Sequence, residues 1–246
     1  MNDGPHRGPL SNRRLSPVRR VVRRLIAGIL PQSCFLCGSG SGSALLCSAC
    51  AAELPALPGG ACPMCALPIG EERICGPCQR HPRAFDRTVA AFLYDFPIGE
   101  MVQALKYGHR LQMAGFFAEI LEAKLAGGGP LPDLVLPMPL HPARLRQRGY
   151  NQAAEIARPL TRRLGCRLEL FSLLRDVDTP PQVGLPWKVR AANVRGAFRC
   201  VEDLRGLRVA VVDDVLTTGA SLHEVARCLK CRGAVWVENW VVARTP

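Results

Sequence analysis

Eight cysteines in the first third of the chain follow one spacing, used twice. Cys34, Cys37, Cys47 and Cys50 read C-x2-C-x9-C-x2-C, and Cys62, Cys65, Cys75 and Cys78 repeat it 28 residues later. Phe35 is the only aromatic residue between Cys34 and Cys78, so this stretch lacks the side chains for an ordinary core. Metal staples remove that need. Zn²⁺ prefers a tetrahedron of soft ligands, and two C-x2-C knuckles supply one with little loss of chain entropy. Eight thiolates then make two closed, structural zinc sites with no position left for catalysis. The spacing suits sequential sites, 34/37/47/50 and 62/65/75/78, and is also compatible with a cross-braced pairing, 34/37/62/65 with 47/50/75/78. Disulfides and an iron–sulfur cluster are the competing uses of such cysteines.

Redox compartment decides between zinc and disulfides. The apolar run Leu25–Leu30 has six residues, short for an export signal, and Pro31-Gln32-Ser33 is a poor cleavage site. No window approaches the ~18 apolar residues of a membrane helix. The expectation is a cytoplasmic protein with reduced cysteines. Cys228 and Cys231 are also C-x2-C but fall in a predicted helix with no second pair nearby, so they are expected to be small buried hydrophobes, like Cys166 and Cys200.

The 246 residues allow one medium domain and one small one, and 48% apolar content supports a sizeable core. A net charge of +12 favours nucleic acid, phosphorylated ligands or an anionic membrane surface. Arginine outnumbers lysine 28 to 4, so the location of the charge says more than its total. Arg7, Arg13, Arg14, Arg19, Arg20, Arg23 and Arg24 against Asp3 place half of it in residues 1–30. Within this basic arm, Val18, Val21, Val22, Leu25 and Ile29 have helical spacing, predicting an amphipathic helix over 17–30. Its stripe packs on the protein, or its basic face meets nucleic acid or lipid.

The expected organisation is arm 1–30, double zinc ribbon 31–84 and an α/β domain 85–246. In the last, strands are predicted at 87–96, 133–136 (halted by Pro137), 166–175, 196–201, 207–212 and 234–243. Helices are predicted over 99–110, 113–127, 152–164 (capped by Asn151 and closed by Gly165) and 222–232, the last with a Ser221/Glu224 capping box. Strands alternating with helices predict a parallel sheet.

The segment from Val209 to Ser221, VAVVDDVLTTGAS, carries the chemistry. Its apolar half reads as a strand covered on both faces, which puts Asp213 and Asp214 at the strand's carboxyl end. Ligands bind at that edge of open α/β sheets. Adjacent carboxylates there need hydroxyl donors, a basic side chain or Mg²⁺ beside them. Thr217, Thr218, Gly219, Ala220 and Ser221 follow just before a helix, so backbone N–H groups and three hydroxyls form a cradle for a phosphate. Hydroxyl acceptors beside phosphate donors match ribose 5-phosphate. The bland alternative is a structural strand–turn–helix with Ser at the N-cap.

The D-D-x-x-T-T-G-x-S pattern resembles the phosphoribosyl-pyrophosphate (PRPP) signature of type I phosphoribosyltransferases. With LPMPLHPARLRQRGYNQAAEIA (136–157), TPPQVGLPWKVRAANVRGAF (179–198) and the cysteine repeat, the chain resembles the competence protein F (ComF) family over residues 20 to 244. That resemblance implies a double zinc ribbon followed by a phosphoribosyltransferase-like domain. It implies that Asp213 and Asp214 hold the ribose hydroxyls with Mg²⁺ close by, and that Thr217 to Ser221 hold the 5-phosphate. Pro137, Met138 and Pro139 fall where such enzymes have their pyrophosphate loop. Arg144, Arg146 and Arg148 follow, ahead of a helix start, and suit a second phosphate or a nucleic-acid backbone. The segment 176–195 would be the loop that closes over the reacting centre, with Lys188, Arg190 and Arg195 neutralising departing pyrophosphate and Gln182 and Asn193 contacting it. The family is linked to DNA uptake in transformation, which makes single-stranded DNA and the uptake machinery candidate partners. Two functions are thereby expected side by side: a nucleic-acid handling protein that keeps the pocket, or a Mg²⁺-dependent transferase acting on an unidentified base.

Overall fold

The computed structural model describes residues 32–70, 73–178 and 192–246. The helix expected over 17–30 and the residues Gln182, Lys188 and Arg190 lie outside the described residues. The chain divides into two compact units, 1–53 and 54–246.

In the smaller unit, β1 (Gln32–Ser33) pairs antiparallel with β2 (Gly40–Gly42), and α1 (Ser48–Ala52) follows. Cys34 and Cys37 flank one tight turn, and Cys47 caps α1. The second cysteine copy lies in the larger unit, ending in α2 (Gly76–Arg80). Sequence repetition becomes backbone repetition. The bonds Cys34 N to Ser39 O, Gly38 N to Cys34 O and Ala51 N to Cys47 O return as Cys62 N to Leu67 O, Ala66 N to Cys62 O and Gln79 N to Cys75 O. Gly38 has φ +77°, and its counterpart Ala66 is held at φ +56° although it carries a Cβ. The knuckle geometry therefore overrides the local preference of that residue.

The larger unit is built on four parallel strands in the order β3-β8-β7-β4. These are β3 (Arg87–Leu93), β4 (Leu134–Pro137), β7 (Arg208–Leu216) and β8 (Trp236–Arg244). The helices are α3 (Ile98–Tyr107), α4 (Gln112–Leu125), α5 (Pro142–Arg148), α6 (Gln152–Leu164) and α7 (Ala220–Cys231). A short antiparallel pair, β5 (Leu173–Arg175) and β6 (Phe198–Cys200), stands apart from the main sheet. The parallel α/β class expected from the sequence is the class observed. Val209 and Val211 of β7 pack in one cluster with Leu222, Val225 and Leu229 of α7 and with all four cysteines of the second copy. Ala210 and Val212 alternate with them and are buried outside that cluster, so both faces of β7 are covered.

Several boundaries moved, each for a local reason. β7 does not stop at Val212. Asp213, Val215 and Leu216 continue to pair with Val241, Ala243 and Arg244 of β8. Pro137 ends its strand from inside it rather than from the position just beyond it. It is the last residue of β4, an edge strand of the sheet, where a missing N–H is tolerated. The strand expected over 166–175 is mostly irregular. The Glu169 carboxylate accepts from the N–H groups of Leu170 and Phe171, leaving one bridge from Leu168 to Val135 before β5 begins. The Ser221/Glu224 capping box does not form. α7 starts earlier, with Gly219 at its N-cap, so Glu224 is too deep in the helix to reach back and instead accepts from Gly196 N at 2.8 Å. α5 was not anticipated. The Asn151 cap of α6 is present, its side chain accepting from Ala153 and Ala154. Of the four remaining cysteines only Cys200 is buried, and Cys231 is exposed.

A buried polar chain ties the second cysteine copy to the sheet. Asn239 Nδ2 donates to Thr88 Oγ1 at 3.1 Å, and Thr88 Oγ1 donates to Met64 O at 2.7 Å. Thr88→Val leaves both partners short of a bond, so it should cost about 1–3 kcal/mol in denaturant unfolding. An unchanged unfolding midpoint would show that the link carries no stability.

Candidate phosphoribosyl site and metal centres

Each cysteine copy gathers its own four sulfurs. Those of Cys34, Cys37, Cys47 and Cys50 lie within 4.8 Å of one another, as do those of Cys62, Cys65, Cys75 and Cys78. The pairing is therefore sequential rather than cross-braced. A tetrahedral zinc with Zn–S of about 2.3 Å sets its sulfurs about 3.8 Å apart. Cys37 and Cys47 Sγ are 3.8 Å apart, and Cys65 and Cys75 Sγ are 3.6 Å apart. Cys50 N and Cys75 N point at the sulfurs of Cys47 and Cys62, which suits thiolates that need donors. Both donor sets fit zinc.

The second feature is the carboxyl end of β7. β4 pairs with β7 only as far as Pro137 opposite Val212, with Met138 N donating to Val212 O at 2.8 Å. There β4 leaves the sheet, and Asp213 and Asp214 are the next residues of β7. Two adjacent carboxylates thus lie inside a paired strand at the point where one of its neighbours departs, which is where open α/β sheets form their crevice.

Alternation along β7 sends the two side chains to opposite faces. Asp214 is 4% exposed, and its Oδ1 meets Lys106 Nζ of α3 at 2.9 Å. Its Oδ2 is buried and accepts no hydrogen bond among the described residues. Burial pulls the Lys106 ammonium down, but the carboxylates of Asp214 and Asp213 outweigh it and raise its pKa overall. Asp213 Oδ1 accepts from Asp214 N at 2.8 Å. The low-dielectric surroundings and then the Asp214 charge push Asp213 up to about 7. Arg175, at the end of β5, feels both Asp213 and Arg144. Burial and the Arg144 charge hold it below its ordinary value, while Asp178 and Asp213 pull upward. Arg144 Nε is 3.1 Å from Asp178 Oδ1.

Thr217, Thr218 and Gly219 turn the chain from β7 into α7. Gly219 takes φ +77°, a conformation that Cβ-bearing residues avoid, and Ala220 and Ser221 open the helix. Met138 and Pro139 are both buried at the start of the β4–α5 loop, whose carbonyl at Met138 accepts from Asn151 Nδ2 at 2.9 Å. The sequence-selected residues 138, 139, 213, 214 and 217–221 are thus carried by the adjoining ends of β4 and β7. Lys188 and Arg190 lie outside the described residues.

The cradle is held from the second cysteine copy. Arg244, buried at the end of β8, donates through Nε to Cys65 O at 2.9 Å and through Nη1 to Leu216 O at 3.4 Å, the residue before Thr217. A Cβ on Gly219 would lie 3.8 Å from the Phe85 ring, so that ring closes over the turn. Ala84 N donates to His223 Nδ1 of α7 at 3.1 Å.

Lys106 was missed in the sequence, where 85–130 showed only core-like patterning. One signal was available. In a chain with 28 arginines and four lysines, a lysine follows the buried positions Met101, Val102 and Leu105 of an amphipathic helix. Lysine there supplies a compact point charge on a flexible stem, which reaches Asp214 Oδ1.

The fold and site define a protein that joins four-cysteine zinc ribbons to a phosphoribosyltransferase-type α/β domain. Family comparison agrees: residues 25–79 match the double zinc ribbon domain and residues 150–246 the phosphoribosyl transferase domain. The DNA utilization protein YhgH of Salmonella typhi is 35% identical over 190 residues, covering 75% of this chain and 84% of that protein. Competence protein F of Haemophilus influenzae is 30% identical over 209 residues, 81% of this chain and 90% of that one. The chain belongs to the competence protein F (ComF) family. Among solved structures, a purine phosphoribosyltransferase from Pyrococcus horikoshii Ot3 is 20% identical, covers 56% of this chain and 84% of its own, and superposes with a TM-score of 0.33. No described helix is long and apolar enough to cross a membrane.

Arg244→Met removes charged donors from the Cys65, Leu216 and Thr245 carbonyls and should cost about 2 kcal/mol or more. Cys62→Ser should raise amide hydrogen exchange across Leu216–His223, and unchanged exchange there would show that the cysteine copy does not hold the cradle. Asp213 gives a pH signature. Its folded pKa lies above the ordinary aspartate value of about 3.9, so the folded state binds the proton more tightly. Stability should therefore fall as pH rises from about 4 to about 7 and then level off. Asp213→Asn should flatten that slope in chemical denaturation, and a slope identical to wild type would contradict the assignment.

Proposed function

We propose that this crevice binds a phosphoribosyl ligand of the PRPP type, and that the protein serves DNA uptake by handling single-stranded DNA in the cytoplasm. The observation that carries the first part is the buried Asp214 Oδ2, which accepts no hydrogen bond among the described residues, next to a helix that opens on Gly219. An orphaned buried carboxylate oxygen costs free energy unless a ligand hydroxyl or cation reaches it. In this reading Asp213 and Asp214 accept from the ribose hydroxyls, and backbone N–H groups and hydroxyls of Thr217, Thr218, Gly219, Ala220 and Ser221 hold the 5-phosphate. Met138 and Pro139 border the pyrophosphate. Lys106 Nζ meets Asp214 Oδ1 at 2.9 Å and so holds that carboxylate in place at the crevice.

Mg²⁺ is the ion such a ligand carries. The remaining carboxylate oxygens of Asp213 and Asp214 suit a hard cation, which would neutralise part of the diphosphate charge. The DNA role rests on the names of the relatives, on the arginines of residues 1–30 and on the zinc ribbons. Contact with the uptake machinery follows from the same reading.

A second reading, an active transferase, is favoured by Arg175, whose charge acts on Asp213 and which is itself influenced by Arg144. Fixed cations there would stabilise pyrophosphate as its bond to ribose C1 breaks and the acceptor nitrogen bonds to C1. Lys188 and Arg190 would join them from the loop.

Calorimetry with PRPP and Mg²⁺ separates pocket from no pocket. Wild type should bind, and the double variant Asp213→Asn, Asp214→Asn should bind at least tenfold more weakly. No heat from wild type, or equal affinities, would remove the ligand assignment.

A further inference from the structure

Next to Lys106 on α3 is Tyr107, and nothing in the pocket reading uses it. Tyr107 is 66% exposed, far more than a packing tyrosine needs. One face of its ring is covered by the Arg148 guanidinium, with Cζ 4.9 Å from the centroid. Arg148 is itself fixed by a hydrogen bond to Gln152 at the start of α6. Beside it, Tyr150 is anchored through its hydroxyl to Leu105 O, and the Tyr150 ring lies 5.7 Å from that of His109. His109 is one of two non-glycine residues with positive φ among the described residues, at +52°. Its strain is maintained in a solvent-facing turn, where no core demands it.

The chain around these rings is one-signed. There is no acidic residue between Glu100 and Glu119, nor between Asp133 and Glu155. Those two segments carry Lys106, His109, Arg110, Arg144, Arg146 and Arg148. Arg110 and Arg146 are exposed. Among the described residues, the carboxylates in contact with these cations are Asp214, on Lys106, and Asp178, on Arg144. A rigid, solvent-facing aromatic ring backed by a guanidinium and surrounded by cations suits a planar ring that brings phosphate with it.

We propose that Tyr107, backed by Arg148, is a nucleobase-stacking site at the rim of the Asp213–Asp214 crevice. The base is either free, as the acceptor at the phosphoribosyl pocket, or carried in a single strand whose phosphates meet Arg110 and Arg146. The free-base arm rests on the pocket reading above, whereas the strand arm does not. Contact geometry supports the adjacency. Lys106 touches Asp214 and Tyr107 follows Lys106; Arg148 covers the Tyr107 ring, and Asn151, a little further along the chain, donates to Met138 O.

The test uses the full chain with two probes: a fluorescent 15-residue oligothymidylate followed by anisotropy, and adenine, guanine and uracil titrated calorimetrically in the presence of PRPP and Mg²⁺. Tyr107→Ala should weaken binding of whichever probe wild type binds by about tenfold, Tyr107→Phe should retain it, and Arg148→Gln should weaken it less. Because Tyr107 is on the surface, thermal unfolding of these variants should match wild type. The PRPP affinity of Tyr107→Ala and Tyr107→Phe should also be unchanged, which keeps the two readings apart. If wild type fails to bind PRPP but Tyr107→Ala still weakens the oligonucleotide, the pocket reading falls and the stacking site stands. Equal affinities of wild type and Tyr107→Ala, equal losses in Tyr107→Ala and Tyr107→Phe, or binding of neither probe by wild type would each overturn the stacking site.

Discussion

Two carboxylates inside a hydrogen-bonded β-strand set the terms for the larger unit. β8 keeps β7 extended through Asp213 and Asp214 to Leu216, whereas β4 pairs no further than Val212. A strand supported on one edge and open on the other can hold charge at a fixed height beside a crevice. Lys106 makes this tolerable on one face by meeting Asp214 at 2.9 Å, and the pair is then a desolvated ion pair with one oxygen left over. Such an arrangement is a poor way to gain stability, because desolvating both charges offsets most of their attraction. Its cost is better explained by the acceptor geometry that it preserves.

The zinc-type clusters divide along the same logic. The second copy shares a hydrophobic cluster with β7 and α7 and reaches the cradle through Arg244, Phe85 and the Ala84–His223 bond. A metal there would fix Cys65, and Cys65 O fixes the guanidinium that holds Leu216 O. The first copy, with the same backbone pattern, forms its own unit with Gln32–Ser33 and Gly40–Gly42. A tandem repeat in sequence has thus been put to two structural uses, and spacing alone carries no trace of the difference.

What could be read beforehand followed from short-range physics. The Asn151 cap, the Gly165 terminus of α6 at φ +74° and the covered strand at Val209–Val212 are set by neighbours in sequence. The four-cysteine sets were legible because coordination chemistry fixes their spacing. What was hidden depends on partners far along the chain. The extension of β7 needs β8, 28 residues on, and the displacement of the capping box needs Gly196 to claim Glu224. Lys106 and Tyr107 were hidden for the same reason, since nothing near them in sequence shows that α3 runs beside the end of β7. Of the site, the residues on β7 and its following turn were visible as a pattern, and the cation and aromatic rim facing them were not.

The proposed function requires the end of β7 and the start of α7 to grip the two ends of a phosphoribosyl group. A crystal structure with ribose 5-phosphate tests it most directly. The predicted result has the ribose hydroxyls on Asp213 and Asp214, with Asp214 Oδ2 accepting, and the phosphate on backbone N–H groups within Thr217–Ser221. A ligand seated elsewhere, or a crevice that stays empty of it at saturating concentration, would contradict the claim.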